Sequence, residues 1–315
     1  MSREDLAGLV FQGIEEFVAD LDAEIGPSDA EWGPFRYLRD PISDPRFSTP
    51  VTLSVPNAWW ARNTWVEPFR IEFDSISEAA KALRAVQRNW APCLFTQFRR
   101  GELIKERLPP ISAKPKPFPF ELPETPMGAW TLLDEHTMIA SATCSSPFPG
   151  GIVEFEEDKV NPPSRAYLKL REALVRARRF PDPGESCIDA GASPGGWTWV
   201  LAGLGTRVLA VDRAELDPRI AAMPGVEYRR HDAFTLKPED FGRQDWVFSD
   251  VICYPQRLYE WVSLWLESGL CEKFICTIKI QGEPDWAAIR LFDAIPGGSV
   301  VHLHNNKHEL TWIRV

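Results

Sequence analysis

The 315-residue sequence predicts a doubly wound, Rossmann-like α/β sheet preceded by an α+β domain. Three observations carry that expectation. Helical and strand patterns alternate from Ser164 onward, a glycine-rich loop at residues 189–198 separates a buried strand pattern from a helix start, and a proline-rich stretch from Leu108 divides the chain.

Residues 6–25 carry apolar side chains at helical spacing and predict a first helix. Acids concentrate there and just before it: Glu4, Asp5, Glu15, Glu16, Asp20, Asp22 and Glu24. Residues 65–73 read as a strand running into a second helix, which opens at Ser75-Ile76-Ser77-Glu78 and continues to about Trp90. In this capping box the serine oxygen accepts the N–H three residues on, and the glutamate accepts the serine N–H. The segment from Leu108-Pro109-Pro110 to Lys114-Pro115-Lys116-Pro117-Phe118-Pro119 is an extended linker, because proline lacks a donor and fixes φ. Residues 130–133 and 137–140, around Asp134-Glu135-His136, read as a hairpin. The expected domains are therefore residues 1–107 (α+β), 108–163 (linker and hairpin) and 164–315 (α/β). In the last, helices are expected at 164–179, 197, 256–267 and 285–293. Strands are expected near 187, 207 and Val226, then at 246–249, 274–280, 299–303 and 309–315.

A formal charge of −10 excludes a protein that coats nucleic acid through bulk electrostatics. Local basic tracks remain, at Arg99, Arg100, Lys105, Arg107, Lys114 and Lys116, and at Arg165, Lys169, Arg171, Arg176, Arg178 and Arg179. Six cysteines show no CxxC spacing and read as reduced core residues. The polar, acidic start and the lack of any long apolar run predict a cytoplasmic protein with no membrane association. His302, His304 and His308 are read as strand-end and loop residues, so no metal is expected. Trp59 and Trp60 are candidates for base stacking, set against the more common core role of tryptophan.

The strand patterns ending at Asp189 and Asp212 are short and apolar, as in a sheet buried on both faces, and such sheets bind ligands at the carboxyl ends of their strands. Gly191, Gly195 and Gly196 let backbone approach a ligand or take positive φ, and Trp197 opens a helix whose free N–H groups face the site. The loop lacks the Lys-Ser/Thr of a phosphate-binding loop and the spacing of a dinucleotide fingerprint, while Asp212 suits a ribose diol. These features favour S-adenosylmethionine over a nucleoside triphosphate or NAD. Four further ionisable residues fall where strand and helix ends would gather them. Lys169 lies on the helix from Ser164, opposite a stripe of Tyr167, Leu170, Leu174 and Ala177 that leaves Arg165, Glu172 and Arg176 beside it. Asp250 follows an apolar strand, Lys279 sits inside one, and Glu309 opens the last. A lysine in such a run is costly unless it is paired or functional.

The residues Pro163-Ser-Arg-Ala-Tyr-Leu-Lys-Leu170, the loop Asp189-Ala-Gly-Ala-Ser-Pro-Gly-Gly-Trp-Thr198, and Asp250, Lys279 and Glu309 together resemble FtsJ-type RNA ribose 2′-O-methyltransferases. The closest resemblance is to the bacterial RlmM-like family that methylates a cytidine of 23S ribosomal RNA. It covers the C-terminal half and extends more weakly upstream through Ser145-Ser146-Pro147-Phe148. It implies a methyltransferase sheet and a catalytic Lys169, Asp250, Lys279, Glu309 tetrad. It also implies an S-adenosylmethionine site at Asp189, Gly191, Ala192, Ser193, Pro194, Gly195, Gly196, Trp197 and Thr198, with Asp212 near the ribose, Asp232 near the adenine, and Asp250 shared with the tetrad. The implied partner is RNA, most simply ribosomal RNA, with the first domain a candidate RNA-binding part and no stable protein partner inferable. Lys279 acts either as the base or as a charged group that steers the hydroxyl. Two rival readings stay open: an RNA-binding protein without turnover on the same fold, and a methyltransferase for a small molecule or a protein.

Overall fold

A computed structural model of the chain describes residues 1–40, 58–112 and 114–315. They divide into two compact units, residues 1–116 with 122–154 and residues 117–121 with 155–315.

The first unit holds two five-stranded sheets. In one, the neighbours in order are Ser2–Asp5, Phe69–Glu72, Thr137–Ser141, Gly128–Leu132 and Trp90–Pro92. Alternation along its inner strands explains how both faces are covered: Trp130, Leu132, Met138 and Ala140 pack with Leu83, Trp90 and Ile104, whereas Ala129 and Ile139 pack on the other side with Val10, Phe35 and Trp65. The second sheet runs Thr143–Cys144, Ala61–Val66, Leu9–Gly13, Phe35–Leu38 and Ala30–Trp32.

Several expectations for this unit are corrected. Residues 6–25 are not one helix: Leu9–Gly13 is a buried strand and the helix is only Val18–Ile25, because a short apolar run shared by both periods is settled by sheet pairing. The N-cap at Ser75 is present, with its hydroxyl accepting the Glu78 N–H, and the Glu78 carboxylate reaches back to accept the Asp74 N–H. The helix it opens stops at Val86, and Trp90 starts a strand. The hairpin is correct in its strands, yet it lies inside the first sheet rather than in a segment between domains. Trp59 and Trp60 are buried, 6% and 0% exposed, and unavailable for base stacking.

In the second unit the alternation read from sequence becomes a seven-stranded sheet. Its strands are β1 (Ser186–Ala190), β2 (Arg207–Asp212), β3 (Val226–Arg230), β4 (Trp246–Ser249), β5 (Lys273–Lys279), β6 (Gly298–Val301) and β7 (Glu309–Arg314). The order is β3-β2-β1-β4-β5-β7-β6. The first five are parallel, and β7 runs antiparallel between β5 and β6. The helices are α1 (Tyr167–Ala177), α2 (Gly196–Gly203), α3 (Pro218–Ala221), α4 (Pro238–Phe241), α5 (Pro255–Ser268) and α6 (Trp286–Asp293). Central strands read as continuous apolar runs because both their faces are covered: Ile188, Val208, Val247, Phe248, Phe274 and Ile275 are 0–1% exposed.

Helix α1 departs most from its sequence reading. The face opposite its apolar stripe is not solvated: Lys169, Arg171 and Glu172 are 7%, 9% and 0% exposed. Arg171 lies over the rings of Tyr167, Phe118 and Trp199, which is why the short segment 117–121 belongs with this unit. Glu172 accepts the backbone N–H groups of His304 and Asn305 at 2.9 and 3.3 Å and faces Arg176 at 3.7 Å. It thereby fixes the loop that leads into β7.

Removing that carboxylate takes a buried acceptor from two backbone donors and an opposite charge from Arg176. Glu172→Ala is expected to lower stability by about 3–5 kcal/mol and Glu172→Gln by less, read from urea unfolding midpoints. A loss for the alanine variant below about 1 kcal/mol would contradict this role.

Candidate active site

The carboxyl ends of β1, β2 and β4, with the loops that follow, build one edge of the sheet, and the glycine-rich loop crosses it. Strand β1 ends in Ala190, and the chain turns at Gly191, whose φ is +79° and whose N–H donates to the Val211 carbonyl at 2.9 Å. A Cβ at Gly191 would lie 2.4 Å from Val251, so glycine is required there twice over, by conformation and by space. Gly195, at φ +116°, enters α2 against Ile220. Between them the Ser193 N–H donates to Asp212 at 3.0 Å and the Ser193 hydroxyl donates to the Glu215 carbonyl at 2.9 Å. Pro194 is exposed and Ala192 is buried.

Trp197 and Thr198 turn inward. The Trp197 indole N–H donates to the Ala166 carbonyl at 2.9 Å, tying α2 to the start of α1. The Thr198 hydroxyl donates to Asp189 at 2.6 Å. Their side chains position the loop. Asp189 is fully buried, and its second carboxylate oxygen has no hydrogen-bond partner. Burial above all pushes its pKa up to about 7; the Thr198 hydroxyl opposes the rise and the Asp250 charge adds to it.

Asp212 holds the loop through Ser193 and also accepts the Ala214 N–H at 2.8 Å. Asp232 accepts the Phe234 N–H and pairs with Arg257 at 3.2 Å. The acids expected to face a cofactor thus stand at successive strand ends of one edge. The donor set fits S-adenosylmethionine: carboxylates for a diol and for a cationic group, and the orphaned oxygen of Asp189.

The structure brings all four members of the expected tetrad together. Lys169 Nζ lies 2.8 Å from both Asp250 oxygens and 3.0 Å from Glu309 Oε1. Lys279 Nζ lies 2.6 Å from Asp250 Oδ1 and 2.6 Å from Glu309 Oε2. Cation and anion therefore alternate around a closed ring with no net charge. Register makes half of it, since Lys279 and Glu309 are direct partners across the antiparallel β5–β7 pair. Asp250 follows β4 immediately, and Lys169 descends from α1.

Burial disfavours the charges of Lys279, Asp250 and Glu309, and their opposite neighbours outweigh it. Lys279 is held above the ordinary lysine value because Asp250 and Glu309 overcome its desolvation. Asp250 and Glu309 are held below the ordinary carboxylate values, chiefly by the two lysines. All three stay ionised at neutral pH. Among the described residues Lys279 donates only to these two carboxylates, so one of its three N–H groups remains for a substrate.

Two supporting residues escaped sequence reasoning. Glu172 is one; the other is Asn306, which donates to the Glu309 carbonyl and to Thr311, each at 3.1 Å, and so fixes the start of β7. Buried polar side chains near a strand start carry no sequence signal of their own. Among the described residues no group of three or more His, Cys, Asp or Glu could hold a metal ion, and His302 is a buried side chain beside the Lys307 carbonyl. The six cysteines are free, and burial pushes Cys187 up to about 12 and Cys253 up to about 11, which leaves both poor nucleophiles. No helix among the described residues is long and apolar enough to cross a membrane.

Residues 162–282 match the family described as FtsJ-like methyltransferase. A protein of Halorhodospira halophila named "Ribosomal RNA large subunit methyltransferase M" is 36% identical over 172 residues, which is 52% of this chain and 50% of that protein. A protein of the same name from Xanthomonas campestris pv. campestris is 31% identical over 253 residues, 77% of this chain and 66% of that one. The chain thus spans about half the length of the first relative and less than the whole of the second.

Asp189 generates a prediction about stability. Its folded pKa of about 7 lies above the ordinary aspartate value of 3.8, so the folded state binds its proton more tightly and stability falls as pH rises between those two values. Asp189→Asn removes this dependence while keeping an acceptor for Thr198. Between about pH 5 and about pH 8 the unfolding free energy of the wild type is expected to drop more than that of the variant. Equal drops would contradict the raised pKa.

Proposed function

We propose, from the FtsJ-like methyltransferase domain that this chain carries at residues 162–282, that it methylates a ribose 2′-hydroxyl of RNA, with large-subunit ribosomal RNA as the substrate. The observation that carries the reading is the closed Lys169–Asp250–Lys279–Glu309 ring at the edge where the glycine-rich loop also lies. The names of the two relatives support the choice of ribosomal RNA. S-adenosylmethionine supplies an electrophilic methyl group when bound. Asp189, the backbone from Gly191 to Gly196, Asp212 and Asp232 would hold it.

A ribose hydroxyl is a poor nucleophile and needs alignment above all. Lys279, charged and fixed by two carboxylates, presents its remaining N–H to the hydroxyl oxygen and orients a lone pair. An ammonium held above its ordinary pKa does not abstract the proton in advance, so orientation and stabilisation of developing negative charge are its role rather than base catalysis. Bond formation makes the hydroxyl proton strongly acidic, and the proton then passes to water or to the Asp250 carboxylate beside Lys279. Lys169 meets this path only at Asp250; it keeps Asp250 and Glu309 ionised and in place.

The test is transfer of labelled methyl from S-adenosylmethionine to unmodified ribosomal RNA, followed by nuclease digestion to identify the product nucleoside. Wild-type protein is expected to give a 2′-O-methylnucleoside. Lys279→Ala is expected to lower kcat by about 10²–10³-fold while cofactor affinity stays unchanged. A cofactor-binding wild-type protein that transfers methyl to no RNA would sink the reading.

A further inference from the structure

The loop that follows Asp250 presents two exposed apolar side chains within four positions of that carboxylate, and the residues beside them are anchored. Ile252 is 79% exposed and Tyr254 67% exposed, whereas Cys253 between them is buried at 7%. Val251 packs against Gly191 so closely that a Cβ there would meet its backbone nitrogen at 3.0 Å. The Cys253 thiol lies in the fields of Arg257, Lys279 and Asp232. Tyr254 is the N-cap residue of the 14-residue helix α5, its carbonyl accepting the Arg257 and Leu258 N–H groups at 3.1 and 3.3 Å. The inner side of the loop thus touches the glycine loop and faces the catalytic lysine, while the outer side displays an isoleucine and a phenol ring on fixed backbone.

We propose that Tyr254, supported by Ile252, is the stacking platform for the base of the nucleotide whose ribose is methylated. This rests on the RNA 2′-O-methyltransferase reading above. The covalent geometry of a nucleotide gives the reason: the base is bonded to C1′, the neighbour of the C2′ that carries the hydroxyl, so a group that holds the base must stand beside the ring. Tyr254 stands four positions after Asp250, at most about 14 Å of extended backbone away. Single-stranded RNA is gripped by stacking unpaired bases on aromatic faces, which fixes position without demanding one sequence. One tyrosine and one isoleucine form too small a patch for a stable protein interface. Tyr254 is a positioning residue: it sets where the hydroxyl rests and takes no part in the bond changes.

The experiment is steady-state methyl transfer to ribosomal RNA by Tyr254→Ala, Tyr254→Phe and Ile252→Ser, with cofactor affinity and thermal midpoint measured in parallel. Tyr254→Ala is expected to raise KM for RNA about tenfold or more, with a smaller change in kcat. Cofactor affinity is expected to stay at the wild-type value. Tyr254→Phe, which keeps the ring, is expected to behave as wild type, and Ile252→Ser to show a smaller rise in KM. Should Tyr254→Ala lower the thermal midpoint, the Ile252→Ser KM carries the test. Wild-type KM in Tyr254→Ala, or equal defects in the phenylalanine and alanine variants, would overturn the platform and leave the methyltransferase reading standing, provided Lys279→Ala is inactive in the same assay. A wild-type protein inert on every RNA would remove both.

Discussion

The second unit is organised around four charges that are costly to bury singly and stable only as a set. Lys169, Asp250, Lys279 and Glu309 have side chains 9–15% exposed, where an isolated ion would lose its hydration without return. Alternation solves the problem, because every charge has an opposite neighbour on each side. The arrangement constrains everything around it. The β5–β7 register must place Lys279 opposite Glu309, α1 must deliver Lys169 to the strand ends, and the loop into β7 must be held by Glu172 and Asn306. A slip of one residue in that register would turn Glu309 to the other face and leave both lysines with Asp250 alone.

The glycine-rich loop depends on the same edge from the other side. Gly191 is pressed between the Val211 carbonyl and Val251, and Val251 is the residue after Asp250. The turn that admits a cofactor and the carboxylate that closes the ring are therefore consecutive in packing. Trp197, donating to the Ala166 carbonyl, links the same loop to the start of α1, three residues ahead of Lys169. A shift in either half displaces the other, a coupling that the proposed alignment of methyl donor and hydroxyl would use.

Much of this was legible in the chain, for identifiable reasons. Strands buried on both faces read as apolar runs, and β1, β2, β4 and β5 were placed to within a residue or two because helices separate them cleanly. The acids at Asp189, Asp212 and Asp250 stood out because they end such runs. What sequence lacked was pairing. Nothing local says that β7 inserts antiparallel between β5 and β6, so the Lys279–Glu309 contact followed from a resemblance rather than from spacing. Residues 6–25 satisfied helical periodicity and still formed a strand over Leu9–Gly13, since neighbouring strands offered it two partners. Glu172 and Arg171 read as surface charges because a charge buried against a loop or a cluster of rings looks, in sequence, like one in water. Trp59 and Trp60 took the core role that is the more common one for tryptophan.

The protonation of Lys279 decides how such a ring acts. A neutral amine would be a base; an ammonium fixed between two carboxylates is a positioning cation and an electrostatic support for oxygen. The balance on Lys279 favours the ammonium, since the two carboxylates overcome its desolvation. The most direct measurement is the ¹³Cε resonance of Lys279, assigned by its loss in Lys279→Arg and followed through a pH titration. The charged-ring account predicts no titration of that signal below the ordinary lysine value of 10.5. A midpoint near neutrality would contradict it.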